Sequence, residues 1–74
     1  MVQKRYYEIV YDRFHKRWVF KPQGLPGALK VGRTKEDCIK VAIPVCNNMV
    51  CTLLIHQEDG TLEEERLFGG NAHP

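Results

Sequence analysis

Thr34-Lys35-Glu36-Asp37-Cys38-Ile39-Lys40-Val41-Ala42-Ile43-Pro44-Val45-Cys46-Asn47-Asn48, followed directly by Met49-Val50-Cys51-Thr52-Leu53-Leu54-Ile55-His56, decides the fold. In the first segment Cys38, Ile39, Ala42 and Val45 recur at helical spacing and make one apolar face, which predicts a helix lying on a sheet. Thr34 starts it. Its hydroxyl can accept from the amide of Asp37, whose carboxylate can reach back in a variant of the capping box, and Glu36 and Asp37 complement the positive helix end. Pro44 lacks the amide that would bond residue 40, so the helix kinks there or ends near Ile43, with Asn47-Asn48 marking the end in either case. In the second segment Cys51, Leu53 and Ile55 alternate with Val50, Thr52, Leu54 and His56. Both sets are rich in apolar residues, as expected of a strand in the interior of a sheet.

Upstream of the helix, Arg5 to Tyr11 reads as a strand with Tyr7, Ile9 and Tyr11 on one face. A polar connection, residues 12–16, leads to Arg17–Lys21, where Trp18 and Phe20 alternate with Arg17, Val19 and Lys21, so the pair forms an antiparallel hairpin. Pro22-Gln23-Gly24-Leu25-Pro26-Gly27 is a loop. Ala28 to Gly32 reads as a short third strand carrying Leu29 and Val31 inward, or as extended coil. Downstream, Asp59-Gly60 turns the chain into a last strand, Thr61 to Phe68. A two-residue turn places His56 opposite Glu63 and a three-residue turn places it opposite Leu62. The order β-β-(β)-α-β-β predicts an α+β domain: a small antiparallel sheet with one helix packed on one face, spanning residues 1–68, followed by a flexible tail at 69–74.

At 74 residues the chain is a single domain that buries only about 60% of its unfolded surface. Hydrophobic residues make up 43% and charged residues 27%, which excludes the disordered class. Residues 41–58 hold Pro44, Asn47, Asn48, His56 and Gln57, so no apolar run spans a bilayer, and residues 1–7 lack the apolar core of a signal peptide; the expected location is cytoplasmic. An odd number of cysteines, Cys38, Cys46 and Cys51, fits a reducing compartment and buried thiols. Without a Cys-x-x-Cys pair, and with histidines at 15, 56 and 73, no metal ligand set is read. Neither glycine-rich stretch, 24–27 or 69–70, has the spacing of a phosphate loop. No cofactor or small-molecule substrate is implied.

The aromatic first strand, Trp18 in the second, Thr34-Lys35-Glu36 opening the helix, Leu54-Ile55-His56-Gln57-Glu58-Asp59-Gly60, and Leu67-Phe68-Gly69-Gly70-Asn71-Ala72-His73-Pro74 together resemble domain-of-unknown-function family 2188. The resemblance runs from about Tyr6 to the C-terminus, and its most specific piece is Ile55-His56-x-x-Asp59-Gly60. Cys38 stands where such chains usually have alanine, and Pro44 interrupts a helix that is usually continuous. The resemblance implies a small sheet-plus-helix domain of bacterial or phage origin and carries over no catalytic residue.

Charge is the clearest anomaly. Residues 1–35 hold nine lysines and arginines against two acids, net +7, and residues 36–74 hold two against seven, net −5. One reading makes Arg5, Arg13, Lys16, Arg17 and Lys21, interleaved with aromatics, a nucleic-acid surface. Another places Glu63, Glu64 and Glu65 across the sheet from these cations as neutralising pairs. A third uses the asymmetry for contact between protomers or with another protein. The leading expectation is a non-enzymatic interaction domain that forms a homodimer or binds a protein, with nucleic-acid binding and phage-type inhibition of a host protein as alternatives. A proton-carrying His56 beside Glu58 or Glu63, or a nucleophilic Cys38 or Cys51, is the enzymatic reading, and it lacks a paired base in the sequence.

Overall fold

The structure is a computed structural model and describes residues 5–69. The chain order is β1 (Tyr6–Asp12), β2 (Arg17–Pro22), β3 (Lys30–Gly32), α1 (Lys35–Cys46), β4 (Cys51–His56) and β5 (Leu62–Phe68). One five-stranded sheet has the order β3-β2-β1-β4-β5, with the helix against one face. This is the expected α+β architecture. The sheet is mixed rather than wholly antiparallel as expected: β1 and β4 run parallel, and the other three ladders are antiparallel. The helix supplies the reason. Twelve residues of α-helix rise about 18 Å, close to the length of a six-residue strand, so α1 returns the chain to the end from which β1 began.

Alternation divides the strands between two faces. Tyr7, Ile9 and Tyr11 of β1, Trp18 and Phe20 of β2, and Cys51, Leu53 and Ile55 of β4 share the helix side, where Cys38, Ala42 and Cys46 of α1 close the core. Tyr7 stacks on Phe20 with ring centroids 5.6 Å apart, and Tyr11 tilts against Trp18 at 5.3 Å. The apolar helix face includes the buried Cys46, while Ile39 and Val45 pack against the core partly buried.

Thr34 caps the helix, accepting from the Asp37 amide at 3.1 Å, but among the described residues Asp37 makes no return bond. The helix does not stop at Ile43. It runs through Pro44 to Cys46, and the Asn47 amide closes it on Ile43 O at 2.8 Å while Asn48 Nδ2 donates to Pro44 O. A single missing amide is tolerated because the buried Ala42 and Cys46 flank it and anchor both sides of the last turn.

The third strand corrects the expectation. It is Lys30–Gly32, and Leu29 and Val31 are exposed rather than turned inward. Its register pairs Trp18 with Gly32 and Val19 with Val31, so Gly32 occupies the helix side and Val31 the other. There the helix backbone comes too near for any side chain: a Cβ on Gly32 would lie 2.5 Å from the Cys38 nitrogen.

The last hairpin takes the three-residue turn. Gly60, at φ 95°, bonds back to Gln57 O, and Gln57 N donates to Thr61 O at 2.7 Å. His56 accordingly pairs with Leu62, and a bulge then makes Glu64 the partner of Ile55. Of the expected tail only Gly69 lies within the described residues.

Candidate functional site

The face turned away from the helix is organised in cross-strand rows. Tyr6, Thr52 and Leu67 form one; Lys21, Glu8, Leu54 and Glu65 form the next; Val10, Val19 and Val31 follow, and Asp12 with Arg17 closes the series. Apolar and charged rows therefore alternate. Val19 and Leu54 are buried even on this side.

Glu8 is the charged centre of the face. Its Oε2 holds Lys21 Nζ at 2.9 Å and its Oε1 faces His56 Nε2 at 3.4 Å, with all three side chains mostly buried. Lys21 also donates to Leu25 O at 2.9 Å and Pro22 O at 3.3 Å, tying the loop after β2 to the sheet. The second ring nitrogen of His56, Nδ1, bonds Gly60 O at 3.2 Å. His56 thus meets neither Glu58 nor Glu63; its acid is Glu8, 48 positions away.

Beside this cluster lies a half-open groove of about 350 Å³, lined by Val10, Asp12, Arg17, Val19, Lys21, Gly27 and Ala28. Asp12 organises its outer end. Its carboxylate accepts from the Phe14 and His15 amides and holds His15 Nδ1 at 2.8 Å, with Arg17 Nε at 3.5 Å. The side-chain bond from His15, followed by that from its amide, holds the Asp12 carboxyl below its ordinary range. These bonds shape the 13–16 turn, where Lys16 adopts φ 55° and Phe14 is left 88% exposed.

The five cations singled out in the sequence are divided among three places. Arg13 and Lys16 stand at the hairpin tip with no ion pair among the described residues, and Arg17 leans on Asp12 beside them. Lys21 is neutralised by Glu8. Arg5 precedes β1 at the opposite end, roughly 25 Å from the tip by strand rise.

The acidic residues do not lie across from these cations. β4 and β1 stand between β5 and β2, so the expected neutralising pairs are not formed. Glu63 instead reaches Lys35 at the helix start, Glu64 bonds Arg66 Nε at 2.6 Å within the same strand, and Glu65 makes no ion pair among the described residues. That hydrogen bond lowers the Glu64 carboxyl and raises the Arg66 guanidinium. The cations of β2 and the glutamates of β5 therefore lie on opposite sides of β1 and β4.

No family model, curated protein or solved structure matches the chain. Its site must be judged from its own residues. The three thiols are buried and unpaired, and burial raises Cys38 to about 11 and, with the adjoining Cys51 thiol, Cys46 to about 12. Cys38 and Cys46 therefore stay protonated and packed, which is the opposite of a nucleophile's setting. Among the described residues no group of histidine, cysteine and acidic side chains is arranged to hold a metal ion, and no helix is long and apolar enough to cross a membrane.

Sequence reasoning missed Glu8 and the groove. A lone glutamate amid the aromatics of the first strand was the available signal, since a charge near the centre of a sheet requires a partner even on the face away from the helix.

Proposed function

We propose that the chain is a non-enzymatic interaction domain that binds protein, with a second copy of itself as the leading partner, through the sheet side and edge that the helix leaves free. The observation that carries this reading is the separation of charge across a single sheet: the basic hairpin lies toward the β3 edge and the glutamates of β5 form the other edge. Exposed apolar side chains, Tyr6, Val31, Leu62 and Leu67, accompany both. Surfaces that combine apolar contact with complementary charge favour protein partners, and a chain this small gains core by pairing. A cytoplasmic setting and kinship with the small bacterial and phage chains of domain-of-unknown-function family 2188 belong to the same proposal. Light scattering across a wide concentration range should show the mean mass rising above that of one chain, and added salt should weaken the effect. A constant monomer mass, together with no binding to any protein tested, would remove the basis of the reading.

A second reading is favoured by the hairpin tip, where Arg13 and Lys16 flank the exposed Phe14. A nucleic acid would use those cations on phosphates and Phe14 on a base, with Arg17 adjoining and Arg5 and Lys21 set apart. Fluorescence anisotropy with single- and double-stranded probes at low salt tests it, and no binding to either removes it.

A further inference from the structure

We propose that the partner strand is β5 itself: two copies join edge to edge, β5 antiparallel to β5, about a two-fold axis at Glu65, turning two five-stranded sheets into one. This deepens the self-association reading and rests on it.

The two edges of the sheet are unequal. β3 is three residues long and lies under the helix, whereas β5 has seven residues and projects past it, since α1 packs chiefly over β3, β2 and β1. A long edge strand with free amides and carbonyls is a template for another strand. Which groups are free follows from β4. Thr52 N donates to Arg5 O, so the even residues of β4 turn toward β1 and Cys51, Leu53 and Ile55 turn toward β5. Their partners Phe68, Arg66 and Glu64 use their backbone groups on β4, which leaves those of Glu65 and Leu67 pointing outward.

Charge selects the register. Residues directly opposite in an antiparallel ladder must be of the same bonding kind, so a two-fold axis passes through a residue rather than between two. An axis at Arg66 sets arginine against arginine, and one at Glu64 sets glutamate against glutamate. At Glu65 the axis places Glu64 of each copy opposite Arg66 of the other, in the non-hydrogen-bonded positions where side chains come closest. The two residues already bond each other within the strand, so pairing exchanges partners without stranding a charge. Leu67, 83% exposed, lies two residues from the axis and gains cover from the second copy. Glu65 against Glu65 on the other face is the opposing term, and it keeps the association weak. A single strand junction in any case falls below the roughly 1,200 Å² of standard interfaces.

The test is sedimentation equilibrium of the full chain and three variants, each checked for folding by circular dichroism. Arg66→Glu turns both cross-strand pairs into repulsions and should weaken self-association about tenfold or more. The exchange Glu64→Arg with Arg66→Glu should restore it, and Glu65→Gln should tighten it. Should Arg66→Glu fail to fold, the Glu65→Gln result decides. A wild-type chain that stays monomeric at the highest concentration overturns the inference, even if it binds a different protein and the broader reading stands. Self-association indifferent to Arg66→Glu and Glu65→Gln, or not restored by the exchange, places the contact elsewhere and overturns the β5 register alone.

Discussion

Glu8 and His56 face each other across the parallel β1–β4 ladder, with Oε1 3.4 Å from Nε2, while Lys21 holds the other carboxylate oxygen from β2. Three strands are thereby joined on the side the helix does not cover. A charge so placed stabilises the sheet only while it is paired, because an unpartnered ammonium or carboxylate near the centre of a sheet costs more than its absence.

Glu8→Gln should therefore destabilise the domain by about 1–3 kcal/mol, since Lys21 would be left with only the carbonyls of Pro22 and Leu25. Urea unfolding measures this. The double replacement Glu8→Gln with Lys21→Met should recover part of the loss, and a double-variant loss equal to the sum of the two single losses would argue that the pair is not coupled.

Trp18 packs under the helix start, against Tyr11 and beneath the Lys35 ammonium at 5.6 Å from its ring. Trp18→Ala should cost about 3–5 kcal/mol and leave the chain largely unfolded. Trp18→Phe should retain the fold at reduced stability. Loss of the cooperative unfolding transition in the first variant and its survival in the second is the expected pattern.

Gly32→Ala should destabilise by about 1–3 kcal/mol, because the new Cβ would meet backbone atoms of Cys38 that cannot rotate away. The helix start would be pushed off β3, so the Trp18 emission should also shift. An unchanged melting curve and spectrum would contradict the close approach.

The thiols set an alkaline limit on stability. Burial raises Cys38 and Cys46 above the ordinary value of 9.0, to about 11 and about 12, so the folded chain keeps protons that the unfolded chain releases. Their contribution is intact below about pH 9 and is lost as pH rises through the folded values. Melting temperature should fall over that window. Cys38→Ala should flatten the fall, and rapid thiol labelling of the native chain at neutral pH would contradict the burial.

Where the sequence pattern was local, it was enough. The two-residue alternation of Trp18 and Phe20, the helical spacing from Cys38 to Ala42 and the Thr34 cap each depend on neighbours in the chain, and each element stands where it was read. Pro44 was misleading in part, because the local penalty of one missing amide was outweighed by the burial of Ala42 and Cys46 on either side. Strand order lay beyond reach. Nothing in residues 62–68 says that β4 and β1 separate them from β2, so the neutralising sheet was a reasonable expectation that only the parallel placement of β4 could remove. The meeting of Glu8 with His56 depends on that same parallel ladder, which is why turn-proximal Glu58 and Glu63 looked like the nearer acids.

The most direct test of the free edge as the contact surface is amide hydrogen exchange followed residue by residue at low and high protein concentration. The account predicts that the Glu65 and Leu67 amides, which point away from β4, exchange fast in dilute solution and slow as concentration rises, while those of Glu64 and Arg66 are protected throughout. Equal exchange at Glu65 and Leu67 at both concentrations, with slowing at the hairpin tip or nowhere, would contradict it.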